Sequence, residues 1–167
     1  MLTGSVVSGL QGQPRSTHDI DIVVALPAAA VDRLVKSFPA PDYYLSHTAA
    51  LQAVSNRSMF NLLDLRGGDK VDFWLLTDDP FDQSRFSRKV QQEALGLRIH
   101  VSAPEDTILA KLRWDKLSGG SEKQFIDALR VFETQRERLN GTYLNDWAHK
   151  LGVEARWSEL QDEAEKS

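Results

Sequence analysis

The sequence has no cysteine among its 167 residues. Disulfide staples, thiolate nucleophiles and Cys-type zinc sites are therefore excluded. Long apolar runs are missing too. Nothing approaches the ~18 consecutive apolar residues of a membrane-spanning helix, and Met1 to Ser5 has neither the basic nor the apolar segment of a signal peptide. Internal repeats and low-complexity tracts are also absent. Positive charge is in the minority, with 20 Lys and Arg against 24 Asp and Glu for a net charge of -4. That excludes a generally basic nucleic-acid coat and leaves room only for a local basic groove. What remains is 41% hydrophobic and 26% charged, enough apolar material for the core of about one ordinary domain. By elimination the expectation is a soluble cytoplasmic protein with no membrane partner.

The chain divides by its hydrophobic period. Asp19 to Leu26 alternates at first and then turns apolar, as a mostly buried strand does. Pro27 opens a helix carrying Val31, Leu34, Val35 and Phe38, and Pro39 and Pro41 end it. Met59 to Leu65 and Lys70 to Leu76 read as a hairpin around Gly67-Gly68, a pair suited to a tight primed turn. Two further strands, Lys89 to Ala94 and Leu97 to Val101, meet near Gly96. Everything after Ser102 reads as helical. Pro104, Glu105 and Asp106 start one helix at its positive dipole end. Gly119-Gly120 breaks it, and Ser121 caps the next. A last pair covers Tyr143 to Leu151 and about Val153 to Glu165. The helices either share the core of the first half or form a small second lobe.

Two acids stand inside an otherwise apolar strand. Asp19 and Asp21 are two residues apart, so on a strand they share a face, with Cα atoms roughly 6–7 Å apart. Like charges on one half-buried face repel, and a cation between them relieves the repulsion. Oxygen-only ligands without His or Cys favour Mg²⁺ or Mn²⁺ over zinc. Asp72, flanked by Val71 and Phe73, repeats the pattern in a second strand, and Asp64 is its rival as third acid. If the two strands are neighbours, three carboxylates converge on one place. Such a set suits divalent ions that hold a triphosphate and activate a hydroxyl for in-line attack. Each feature also has an ordinary reading: an edge-strand Asp-x-Asp facing water, and a lone structural Asp72.

Gly4-Ser5 stands upstream. A glycine lets backbone amides approach an anion closely, and a serine hydroxyl at a helix N-terminus donates to phosphate oxygens. The order Gly4-Ser5, a spacer, Pro14-Arg15-Ser16-Thr17-His18-Asp19-Ile20-Asp21, and a third acid on a later strand resembles the signature of the DNA polymerase β-like nucleotidyltransferase superfamily. The Pro-Arg-x-Thr-x-Asp-x-Asp form looks like the minimal and AbiEii-type nucleotidyltransferases, many of which belong to bacterial toxin–antitoxin or phage-defence systems. Ser102 to Leu112 and Ser121 to Ala128 are similar to the Pro-Glu-Asp…Lys…Asp pattern of AbiEii-like proteins. The resemblance runs from about Leu2 to Leu151.

The resemblance implies an α+β fold. A nucleotidyltransferase-type mixed β-sheet with flanking helices would cover 1–101, followed by a C-terminal helical region over 102–167. It implies that Gly4 and Ser5, with Thr17, bind the nucleotide, and that Asp19, Asp21 and Asp72 bind Mg²⁺ or Mn²⁺. Asp72 would also take the proton of the attacking hydroxyl. Lys111 would contact the triphosphate, and Asp127 would be the acid that follows it. Arg15 joins the nucleotide-binding set from its charge and position. The implied activity moves a nucleoside monophosphate from an NTP to a hydroxyl on tRNA, protein or a small molecule, with an antitoxin as partner. The alternatives are an inactive member of the fold that binds nucleotide or a partner protein, and an aminoglycoside-type small-molecule enzyme. Members carry a helix and a short segment before the Gly-Ser, so a truncated start and an unusually short form are the two accounts of Met1.

Other residues have structural readings. Lys111 alone is a polar-face residue of an amphipathic helix, and Asp127 with Arg130 an intrahelical pair. Trp74, Trp114, Trp147 and Trp157 read as anchors of a core or interface. The four histidines show no ligand spacing. Arg85, Arg88 and Lys89 read as a solvated charged face, with an acceptor groove as the rival.

Overall fold

The computed structural model describes residues 1–14, 16–94 and 96–166; of Ala94 it describes the backbone alone. The chain divides into two compact units, Met1–Val6 with Ser16–Val101, and Val7–Arg15 with Ser102–Ser167.

The first unit is built on a mixed seven-stranded sheet. Its strands are β1 (Leu2–Thr3), β2 (Asp19–Val24), β3 (Tyr43–Leu45), β4 (Met59–Asp64), β5 (Lys70–Leu75), β6 (Val90–Ala94) and β7 (Leu97–Val101). The order across the sheet is β3-β4-β5-β2-β1-β7-β6. β2 runs parallel to β5 and β1 parallel to β7, and the remaining pairs are antiparallel. Alternation assigns the two faces of the central strands. Val24, Phe60, Phe73 and Leu75 lie on one face and pack with Val31, Ala50 and Ala53 from the helices α2 (Val31–Ser37) and α3 (His47–Asn56). Phe60 and Phe73 stack with ring centroids 5.0 Å apart. The opposite face carries Asp19, Asp21, Lys70, Asp72 and Trp74. An apolar face shielded by helices and an acid-bearing face is the division that two-residue periodicity dictates.

Several sequence expectations needed correction here. The β4–β5 connection is a five-residue loop, 65–69, and not a two-residue primed turn. Only Gly68 of the glycine pair has a positive φ, 77°. The Asp64 carboxylate closes the loop by accepting from the Arg66 backbone (2.9 Å) and guanidinium. Strand β3, helix α3 and helix α4 (Pro80–Ser87) were not among the expected elements. Their starts are nonetheless capped, by Ser46 for α3 and by Asp79 for α4.

Helix α1 (Gly4–Gln11) begins in the first unit and continues into the second, which also holds α5 (Pro104–Leu117), α6 (Glu122–Gln135), α7 (Gly141–Leu151) and α8 (Glu154–Ala164). Gln11 Nε2 donates to the Ser102 carbonyl at 2.7 Å. A Cβ on Gly12 would come within 2.8 Å of the Arg130 backbone, so only glycine lets α6 lie that close. Ile108, Leu109 and Leu112 of α5 and Ala128 and Val131 of α6 are without solvent access. Trp157 packs edge-on against Phe132, with centroids 5.3 Å apart, and its indole donates to Asn145. Ser121 stands at the start of α6, but its hydroxyl makes no cap. Its backbone N–H instead donates to the buried Asp115 carboxylate, which also holds Arg156 at 2.7 Å. Among the described residues, no helix is long and apolar enough to cross a membrane.

Candidate functional site

Strand register brings the acids together. Asp21 and Asp72 are Cα partners on the adjacent parallel strands β2 and β5, as are Asp19 and Lys70 two residues earlier. Neighbouring strands lie about 4.8 Å apart, so directly opposite carboxylates on one face cannot avoid each other electrostatically. Across the same row, Thr3 pairs with Asp21 from β1 and Asn61 pairs with Asp72 from β4. Asp19 is exposed, Asp21 half-buried and Asp72 buried, at 7% exposure.

Each acid has a different set of contacts. Asp21 Oδ1 accepts from Trp74 Nε1 at 3.0 Å. Its Oδ2 lies against the Cα of Gly4, at 2.0 Å from where a Cβ would stand. Gly4 also has φ +69°, a left-handed conformation. The turn from β1 into α1 thus requires glycine twice, for its backbone and for the space that the Asp21 carboxylate occupies. Asp72 Oδ2 receives Lys70 Nζ at 3.0 Å, and the same ammonium reaches Asp19 Oδ1 at 3.4 Å. Asp72 Oδ1 is buried and has no hydrogen-bond partner among the described residues. The hydrogen bond to Asp72 holds the Lys70 ammonium above its ordinary pKa of 10.5. Burial works against that shift, and the charges of Asp72 and Asp19 support it.

Mg²⁺ and Mn²⁺ fit this donor set in two respects. The donors are oxygens only, and a buried carboxylate oxygen without a partner is what an oxygen-seeking cation satisfies. Lys70 is the competing feature. Its ammonium draws on Asp19 and Asp72, and no group of three His, Cys, Asp or Glu side chains stands ready to ligate a metal among the described residues.

The other expected site residues fall in several places. Ser5 is half-buried in the first turn of α1. Thr17 Oγ1 sits 3.3 Å from the Asp19 N–H and from its carbonyl, so it closes the turn into β2. Arg15 lies outside the described residues. Asp64, the rival third acid, is tied to Arg66 at the hairpin loop. Hydrogen bonds from the Arg66 side chain and backbone hold its carboxyl down to about 2. In the second unit Lys111 Nζ meets Asp127 Oδ2 at 2.7 Å, with both side chains buried. Arg130 pairs with Glu133 and not with Asp127. Arg85 is held by Asp82, and Lys89 by the Phe86 carbonyl and ring, so these two cations are bound locally.

Of this face, Lys70 was not singled out from the sequence, and Trp74 was read only as an anchor of a core or interface. Lys70 and Trp74 flank Asp72 at two-residue spacing, and in a strand that spacing puts all three side chains on one face. That periodicity was the available signal.

No protein-family model and no curated protein matches this sequence. Solved structures do match. Among them is the crystal structure of an antigenic nucleotidyltransferase-like protein from Paracoccidioides brasiliensis, at 17% identity and a TM-score of 0.58, covering 97% of this chain and 78% of that one. The fold is nucleotidyltransferase-like. The mixed sheet with flanking helices and the helices after Ser102 agree with the α+β architecture expected from the sequence.

Proposed function

We propose that this chain is a Mg²⁺- or Mn²⁺-dependent nucleotidyltransferase that moves a nucleoside monophosphate from an NTP to a hydroxyl acceptor. The observation that carries the reading is the in-register Asp21–Asp72 pair beside Gly4, with Asp72 Oδ1 buried and unpartnered, in a fold of this class. Asp19, Asp21 and Asp72 would hold the metal. When bound, the ion would neutralise phosphate charge and lower the pKa of the acceptor hydroxyl. The acceptor oxygen attacks the α-phosphorus, the bond to the β-phosphate bridging oxygen breaks, and pyrophosphate leaves with that electron pair. Asp72 takes the hydroxyl proton. Trp74 fixes the Asp21 carboxylate by one hydrogen bond, and Gly4 leaves the other oxygen its room. Gly4 and Ser5, at the start of α1, would receive the triphosphate at the positive end of the helix. Thr17 supports this set by closing the turn that delivers Asp19.

The AbiEii-type assignment, with a toxin role and an antitoxin partner, is the finer part of the proposal. Pro104, Glu105, Asp106, Lys111 and Asp127 support it by motif. In that family reading Lys111 contacts the triphosphate, whereas in this chain it forms a buried ion pair with Asp127.

A second reading has its own observation. The Lys70 ammonium already pairs with both Asp19 and Asp72. An inert member of the fold, binding nucleotide or a partner without chemistry, would carry such a lysine. Incubation with each α-labelled NTP, Mg²⁺ and bacterial lysate separates the two. The enzyme labels one class of molecule (RNA, protein or small molecule) and loses that ability on Asp21→Asn, a change that keeps the acceptor for Trp74. The inert protein labels nothing with any NTP.

A further inference from the structure

The two edges of the sheet, β3 and β6, differ in kind. β3 is three residues long and follows Pro39 and Pro41, so it offers little backbone to another strand. β6 runs for five residues, Val90–Ala94, and Glu93 is its one charge. Natural edges are blunted by proline, lysine, shortness or inward-pointing charge, and β6 carries none of these. Alternation splits the β6–β7 hairpin into two faces. Val90 and Gln92 share one with Leu97, Ile99 and Val101, and there Val90 and Leu97 are 41% and 65% exposed. Gln91 and Glu93 share the other with Arg98 and His100, all four exposed.

We propose that β6 is a homodimerisation edge, which pairs antiparallel with β6 of a second copy of this chain about a two-fold axis at Gln92. In an antiparallel ladder every second residue of an edge strand turns its N–H and C=O outward, and the second copy would satisfy those groups. The strand is self-complementary in this register. Gln92 meets Gln92 of the second copy, Gln91 meets Glu93, and Val90 meets Ala94. Directly opposite residues lie on the same side of a sheet. Val90 and Leu97 of both copies therefore gather on one face, and the Gln91–Glu93 pairs on the other. Glu93 meets no like charge, and its cross-strand neighbour within the hairpin is Arg98. A parallel, in-register pairing would set Glu93 against Glu93. The contact is small, so the dimer is weak and concentration-dependent. The proposal is independent of the chemistry assigned to the acids.

The test uses the full chain, and sedimentation equilibrium of the wild type should show a concentration-dependent dimer. Gln92→Lys sets two ammonium groups opposite each other and should weaken association about tenfold or more. Gln91→Lys faces Glu93 of the second copy twice and should strengthen it roughly threefold. The chain has no cysteine, so single introduced cysteines give a second readout. Gln92→Cys should form a disulfide-linked dimer on mild oxidation, because paired residues of antiparallel strands have Cα atoms about 4.5–5.5 Å apart. Gln91→Cys should crosslink far less, since its two copies stand roughly 8 Å apart, two residues of rise and one strand spacing. Either pair of variants decides the matter should a member of the other fail to fold by circular dichroism. A wild type that is monomeric at every concentration would overturn the proposal. So would a dimer that the two lysine variants affect alike, or in which both cysteine variants crosslink equally.

Discussion

Gly4 is the most constrained position of the candidate site. A methyl group there would overlap Asp21 Oδ2, and the left-handed φ adds about 1–2 kcal/mol for any residue with a Cβ. Gly4→Ala should therefore lower stability by at least that amount and weaken Mn²⁺ binding as Asp21 is displaced. Chemical denaturation and metal titration read the two effects separately. Asp64 shows the opposite case, an acid whose neighbours serve structure. Arg66 depresses its pKa from 3.8 to about 2. A depressed carboxyl contributes stability above its unfolded pKa and loses it as pH falls through the folded value. The Asp64 contribution is thus complete above pH 3.8 and lost toward pH 2, and carbon-detected NMR should find its midpoint near 2. For Lys70 the sign reverses. Its raised pKa makes the pair with Asp72 persist through neutral pH and fail only in strong alkali, above the ordinary value of 10.5.

At the scale of elements, how much the sequence revealed depended on pattern length. The Asp19 to Val24 strand and the helices from Pro104 onward carry long periodic signals, and they form where the pattern puts them. Strand β3 does not: it spans three residues, too few for a period to emerge. The Gly67-Gly68 pair misled for a related reason. Asp64 and Arg66 stabilise a longer loop through side-chain bonds that no dipeptide rule contains. Within the site, Asp19, Asp21 and Asp72 were legible because acids in apolar strands stand out. Lys70 and Trp74 were not, because a strand-end lysine and a tryptophan look ordinary until register is known. The Lys111–Asp127 pair makes an element-scale prediction. Breaking a buried pair by removing one partner costs about 3–5 kcal/mol, whereas replacing both with apolar groups is often close to neutral. Asp127→Ala should destabilise strongly in urea, and Lys111→Met with Asp127→Leu should recover most of the loss. Nucleotide affinity in that double variant then reports whether Lys111 has a role beyond packing.

At the scale of the whole molecule, an acidic chain and a nucleotidyltransferase-like fold restrict the chemistry more than the acceptor. The net charge of -4 disfavours a broad RNA surface, and Arg85 and Lys89 near the end of α4 are held locally. Binding of any acceptor should therefore depend only weakly on salt. The central claim is that Asp72 and its neighbours on one sheet face perform nucleotidyl transfer. Its most direct test is pyrophosphate release by the wild type and by Asp72→Asn, measured with each NTP, Mg²⁺ and lysate, with circular dichroism verifying that the variant is folded. The account predicts release by the wild type with at least one NTP and a fall of two or more orders of magnitude in the folded variant, in the range of removing a general base and a metal ligand together. Equal release by both proteins would contradict it.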